Sequence, residues 1–257
     1  PDHHPAARPG DPHVRKVRRA ATAVILLALL IGGGFLAWAT LRNRPQDLPW
    51  TRLDLGQPIG IFTGRKLAGL TDDYAECRAL LRAAGVRYAV LPRISGAEPQ
   101  CGYADGVRFA PGGSRAIAFA PANPGISCPV AAALSLWEWE VVQPAAQKHF
   151  GVAVARIEHL GSYSCRRMYG RSAGDWSEHA TADAIDIAAF RLADGTRIGV
   201  LEDWEAGGEK AAFLREVRTG ACRLFSTVLS PDYNAAHRDH LHLDEAKRGE
   251  LGWRACR

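Results

Sequence analysis

Two short stretches gather the residue types that can do chemistry. "SEHATADAID" (residues 177–186) sets His179 and Asp186 seven positions apart, with small residues between them. "HRDHLHLD" (residues 237–244) holds His237, His240 and His242 together with Asp239 and Asp244. Side chains alternate between the two faces of a strand. His240, His242 and Asp244 therefore share one face, and Leu241 and Leu243 take the other. The same alternation in "AIDIAAF" turns Asp186 away from Ile185 and Ile187. A carboxylate embedded in an apolar strand needs a partner for its charge. One His and one Asp from the first stretch, with a His from the second, supply two nitrogens and an oxygen. Three protein ligands with a fourth position left to water describe a catalytic zinc, whereas a structural zinc closes all four. Such a Zn2+ lowers the pKa of its water to about 7 and polarises a carbonyl, and a nearby base completes a hydrolase. Each stretch alone is an ordinary feature; both in one domain point to a metal site.

Other candidates carry less. Ser177 stands two residues before the first ligand and either bonds substrate or caps its own loop. Ser162 and Ser164 have no base signature nearby, which argues against a serine hydrolase. His149 and His159 read as ordinary histidines. His3, His4 and His13 fall in the N-terminal tail, away from any site.

The elements that must position these residues are legible in outline. "TDDYAECRALLRAAG" (71–85) reads as a helix capped by Thr71 and ended by Gly85. "VRYAVLP" (86–92) reads as a strand stopped by Pro92, and "VRFAPGGSRAIAFAP" (107–121) as a hairpin around Gly112 and Gly113. The long run 127–151 predicts a helix with Ser127 as cap and Pro129 in its first turn, kinked or split by Pro144. Strands follow at 154–163 and in a hairpin over 183–204 that turns at Ala193, Asp194 and Gly195. A helix over 208–225, a short strand in "STVLS" and a final strand complete the chain. Helices with hairpin-linked strands predict an α+β fold, an antiparallel sheet core with flanking helices.

Charge and cysteine usage bound the class. Residues 1–50 hold seven Lys/Arg against three Asp, four of the chain's net charge of +5. The remainder is near neutral, so nothing in it asks for nucleic acid. The early charge has another use. "VRKVRR" (14–19) leads into 21 residues without a formal charge, 20–40. At about 1.5 Å per residue that spans a hydrocarbon core of roughly 30 Å, with Trp38 at interfacial depth. The expected organisation is a cytoplasmic basic tail (1–19), a transmembrane anchor (20–40), a linker and docking segment (41–60), and an exported domain (61–257). A cleaved signal peptide is the alternative, with "AWA" (37–39) as its cleavage site. All six cysteines (Cys77, Cys101, Cys128, Cys165, Cys222 and Cys256) follow the apolar run, and none are spaced CxxC. An even number in an exported chain predicts up to three disulfides, with the pairing open.

The motifs also resemble known ones. "SEHATADAID" is similar to the Ser-x-His-x-x-Gly-x-Ala-x-Asp motif of the zinc D-Ala-D-Ala peptidases, and "HRDHLHL" to the His-x-x-His-x-His ending of the murein endopeptidases. More broadly, residues about 48–246 resemble the bacterial extensin-like C-terminal domain family, through "DLGQPIGIFTGRKLAGLTDD", "PANPGISCPVAAAL", "GSYSCRRMYGR" and "SPDYNAAHRDHLHLD". The resemblance implies the hedgehog-type peptidase fold, with His179, Asp186 and His242 as zinc ligands. It implies His240 as the residue that handles protons or steadies an oxyanion, with Asp239 as runner-up base and His237 in support. It also implies an arginine of the pair Arg166 and Arg167, with Arg166 put first, as a group that holds a substrate carboxylate or carbonyl; the ordinary alternative is a solvated or structural arginine. The implied activity is zinc-dependent hydrolysis of peptide bonds in peptidoglycan, by a protein held in the inner membrane with its C-terminal domain in the periplasm. The alternative is a zinc-containing wall-binding module without turnover. One departure is plain: Ala182 stands where the motif has Gly, a substitution that strains the chain if that position needs a positive φ.

Overall fold

The uncharged run 20–40 and the basic cluster before it form one helix. The computed structural model describes residues 12–122, 124–249 and 253–257. His3 and His4, and the rest of the tail before Pro12, lie outside the described residues. Helix α1 (Pro12–Arg42) has 31 residues. Its segment Arg15–Arg42 is long and apolar enough to cross a membrane, and a signal sequence near an N-terminus has the same properties. The chain divides after Pro45, and Gln46–Arg257 forms a unit of its own. That unit includes residues 46–60, of which Leu53, Leu55 and Ile59 are buried in its core.

Helix α2 (Thr63–Gly69) and a short 3-10 turn lead into helix α3 (Tyr74–Ala83). The cap of α3 is Asp73, whose side chain accepts the Glu76 N–H at 2.9 Å. Thr71, the cap expected from sequence, instead donates its hydroxyl to the Ala68 carbonyl, because the 3-10 turn delays the helix by two residues. Strands β1 (Val86–Val90), β2 (Ile94–Ser95), β3 (Gly102–Tyr103), β4 (Gly106–Gly113), β5 (Ala118–Ala120) and β6 (Ile126–Ser127) follow. The predicted 107–121 hairpin does not form. β4 pairs with β1 and β6, while β5 joins another sheet in parallel with β7 (Val154–Gly161). Gly112 and Gly113, at φ 80 and 81, end β4. Arg115 is then pulled inward by Glu138, 2.6 Å away, so the chain leaves the sheet instead of folding back.

Ser127 caps helix α4 (Cys128–Trp137), with Pro129 in the first turn. All ten residues of α4 are buried. Trp137 meets Phe190 and Phe225 edge-on at 5.7 and 6.4 Å, and its indole N–H donates to the Val217 carbonyl. The helix widens into a π turn at Glu138–Val142 and resumes as α5 (Gln143–Phe150), ended by Gly151 at φ 66. Pro144 has no N–H to give the preceding turn, and the wide turn just before it absorbs that loss.

The hairpin at 193–195 is present: β8 (Ala184–Leu192) pairs antiparallel with β9 (Arg197–Gly199). The chain then turns helical as α6 (Val200–Asp203), where the sequence reading extended the strand to 204. Helix α7 (Gly208–Ala221), β10 (Thr227–Leu229), β11 (Leu241–Asp244) and β12 (Ala255–Cys256) complete the unit. The largest sheet has the order β12-β10-β11-β8-β7-β5, with β9 beside β8. It is mixed, not purely antiparallel as expected: the β5–β7 and β10–β12 pairs are parallel. The fold is α+β. Three disulfides close it: Cys77–Cys128, Cys101–Cys165 and Cys222–Cys256.

Candidate metal centre

Register builds the centre. In the β8–β11 ladder His242 lies directly opposite Asp186. The flanking pairs, Leu241 with Ile187 and Leu243 with Ile185, are fully buried on the other face. Directly opposed residues on one face bring their Cβ atoms to about 5 Å. The third residue, His179, comes from the 3-10 turn Glu178–Thr181. Ser177 caps that turn, its hydroxyl accepting the His179 N–H at 3.3 Å. The turn is fixed from below: the His179 carbonyl accepts N–H groups from Ser164 and Ala182, and the Ala182 carbonyl accepts the Ser127 N–H. Ala182 adopts a left-handed conformation, φ 59 and ψ 18, as the glycine of the resembled motif suggests.

His179, Asp186 and His242 are all buried, and one ligand atom from each lies within 4.8 Å of the others. His179 Nε2 is 3.2 Å from Asp186 Oδ2 and 3.2 Å from His242 Nδ1, and His242 Nδ1 is 2.9 Å from Asp186 Oδ1. This group can hold a metal ion. The reverse side of each ring sets its proton. His179 Nδ1 lies 2.6 Å from the Ser162 carbonyl, which only accepts, so Nδ1 carries the hydrogen and Nε2 offers a lone pair inward. His242 Nε2 lies 3.2 Å from Asp244 Oδ2, leaving Nδ1 to face the centre. Two inward nitrogens and a carboxylate crowd one point. That arrangement needs positive charge, from a cation or from protons.

The electrostatics agree. Burial opposes ionisation of Asp186, but hydrogen bonds from His179 and His242 outweigh it and hold its pKa well below the usual carboxylate range. Burial likewise opposes a charge on His242, but Asp186 and Asp244 prevail and raise its pKa to about 9.

The remaining sequence-derived candidates gather at the same place. His179, Asp186, His237, His240, His242, Arg166 and Ser177 all line one cleft of about 700 Å³. His240 lies just before β11, with Nε2 3.5 Å from Asp186 Oδ1. Asp239 does not line the cleft; it stands behind His240, with Oδ1 2.8 Å from Nδ1. His237 packs 5.2 Å from the His240 ring, and burial, followed by the neighbouring His240 and His242, lowers its pKa to about 4. Among the described residues the Arg166 guanidinium has no ion-pair partner, whereas Arg167 lies over the Trp176 ring and bonds the Gly174 carbonyl. His149 is held by Glu209 and Glu216, and His159 by the Ala122 carbonyl, both outside the cleft.

Two contributors went unassigned at the level of sequence. Asp244 falls on the correct face by alternation, but nothing in its spacing says that it backs His242. The Ser162 carbonyl leaves no trace in sequence, because every residue type has one.

No curated protein and no solved structure matches the chain. The family model of the extensin-like protein C-terminus matches residues 75–257, which contain every residue of this centre. The chain belongs to the extensin-like C-terminal family.

Proposed function

We propose that this protein is a zinc-dependent peptidase acting on the peptide part of peptidoglycan, held in the inner membrane by α1 with Gln46–Arg257 in the periplasm. The observation that carries the reading is the convergence of His179 Nε2, His242 Nδ1 and an Asp186 oxygen at one buried point that opens into a cleft. Two nitrogens and one oxygen suit zinc and leave a coordination position free. When bound, zinc acidifies water and polarises a carbonyl.

The chain's own residues supply the rest. Asp239 accepts the Nδ1–H of His240, so the neutral ring presents Nε2 on the Asp186 side, where it takes up and passes on the proton needed by the leaving amine. That arrangement favours His240 as the proton carrier and gives Asp239 the task of orienting it. Arg166 offers an unpaired guanidinium to a carboxylate or carbonyl of the substrate. Ser177 holds the His179 turn. A periplasmic address fits the three disulfides.

The test uses the full chain in detergent. It is incubated with purified sacculi, with and without a chelator, and released muropeptides are identified by mass spectrometry. A chelator-sensitive product that disappears in His179→Ala supports the peptidase and names the bond cut. No product from folded protein carrying one zinc sinks it.

A further inference from the structure

Asn234 precedes the short turn Ala235–His237 and serves three partners. Its Oδ1 accepts the Ala236 N–H at 3.0 Å and lies 2.8 Å from His237 Nδ1. Its Nδ2 donates to the Tyr169 hydroxyl at 3.3 Å. A backbone N–H can only donate, so the amide atom facing Ala236 is the oxygen. That same oxygen can only accept from His237. Nδ1 therefore carries the ring hydrogen, and the neutral ring presents an unprotonated Nε2. Nε2 has no partner among the described residues and is not sealed from solvent. His237 lines the cleft beside His179, Asp186 and His242.

The surroundings hold this ring still. Tyr169 packs edge-on against it at 6.4 Å, and Tyr233 lies 5.5 Å away. Tyr169 is in the left-handed region at φ 57. A bulky residue stays there only where its surroundings hold it, and such residues cluster at functional sites. The Asn234 amide is one of those restraints.

We propose that Asn234 is a positioning residue that fixes His237 as the Nδ1–H tautomer, and that His237 thereby accepts a hydrogen bond from a backbone N–H of a bound peptide. The acceptor role rests on the peptidase reading above; the tautomer does not.

The test has two arms on the full chain in detergent. The first records long-range proton–nitrogen NMR spectra of protein labelled at the histidine ring nitrogens, with His237 signals identified by their loss in His237→Gln. Metal content is measured on the same samples. The parent should show a protonated Nδ1 and an unprotonated Nε2 at His237. Asn234→Asp, which keeps an acceptor oxygen, should retain that pattern, and Asn234→Leu should mix the tautomers. An unprotonated Nδ1 in the parent overturns the assignment. So does an unchanged pattern in Asn234→Leu. The second arm measures hydrolysis of a stem peptide. Asn234→Leu should raise KM about fivefold, the effect of one lost hydrogen bond, with a smaller change in kcat. A fall in kcat at unchanged KM overturns the acceptor role and moves His237 into proton transfer. An inactive parent with the expected tautomer sinks the peptidase reading and the acceptor role together, and leaves the positioning role of Asn234 supported.

Discussion

Asp244 shows how much a ligand depends on what stands behind it. Its Oδ2 lies 3.2 Å from His242 Nε2, and its Oδ1 accepts the Ala246 N–H, so the carboxylate is itself held in place. Partners of this kind orient a ligating imidazole and raise its basicity. On the zinc reading proposed above, Asp244→Ala should lower zinc affinity about 10–100-fold with the fold intact, as read by calorimetric titration. Ala182 gives a second test at this scale. A left-handed Ala costs roughly 1–2 kcal/mol, and Gly relieves that while losing a buried methyl worth about 0.8 kcal/mol. Ala182→Gly should therefore leave the Tm unchanged or slightly raised. Ala182→Val, β-branched at a positive φ, should lower it by several degrees. A marked drop for Gly would show that the position carries no strain.

At the scale of elements, the two ligand strands were legible and the element anchoring them was less so. Alternation in "AIDIAAF" and "HRDHLHLD" placed Asp186 and His242 on single faces, because period-2 patterning survives any register. That these two residues lie opposite each other depends on the β8–β11 register, which no local pattern encodes. The 107–121 hairpin failed for a related reason: a glycine pair ends a strand, but where the chain goes next was decided by Arg115 and Glu138, 23 positions apart in sequence. Glu138 sits in the π turn that splits the long helix, and its Oε1 accepts the N–H groups of Ala116 and Ile117. Arg115, stacked 3.7 Å over the Phe109 ring, is almost fully buried with it. Removing one partner of a buried ion pair costs about 3–5 kcal/mol. Glu138→Ala should lose stability of that order in urea unfolding, and Glu138→Gln less, since it keeps an acceptor for both N–H groups.

At the largest scale, the unit Gln46–Arg257 is braced by its three disulfides. Cys101–Cys165 ends one residue before Arg166 and so fixes that wall of the cleft, while Cys222–Cys256 ties α7 to β12 at the sheet edge. A bridge closing a loop of this length stabilises by roughly 4 kcal/mol through the unfolded chain. Replacing Cys101 and Cys165 together with Ser should lower the Tm by about 10 °C, read by calorimetry. On the proposed zinc reading the metal should still bind, because His179, Asp186 and His242 all lie outside that loop. The connectivity has a further consequence. Cys77–Cys128 and Cys101–Cys165 interleave in sequence. A chain oxidised from its N-terminus as it emerges would join Cys77 to Cys101 first, and both native bridges would then be blocked. Correct maturation requires Cys77 to stay reduced until α4 is present, or a later exchange of partners. The yield of native protein should therefore depend on a disulfide isomerase, and not on oxidising power alone.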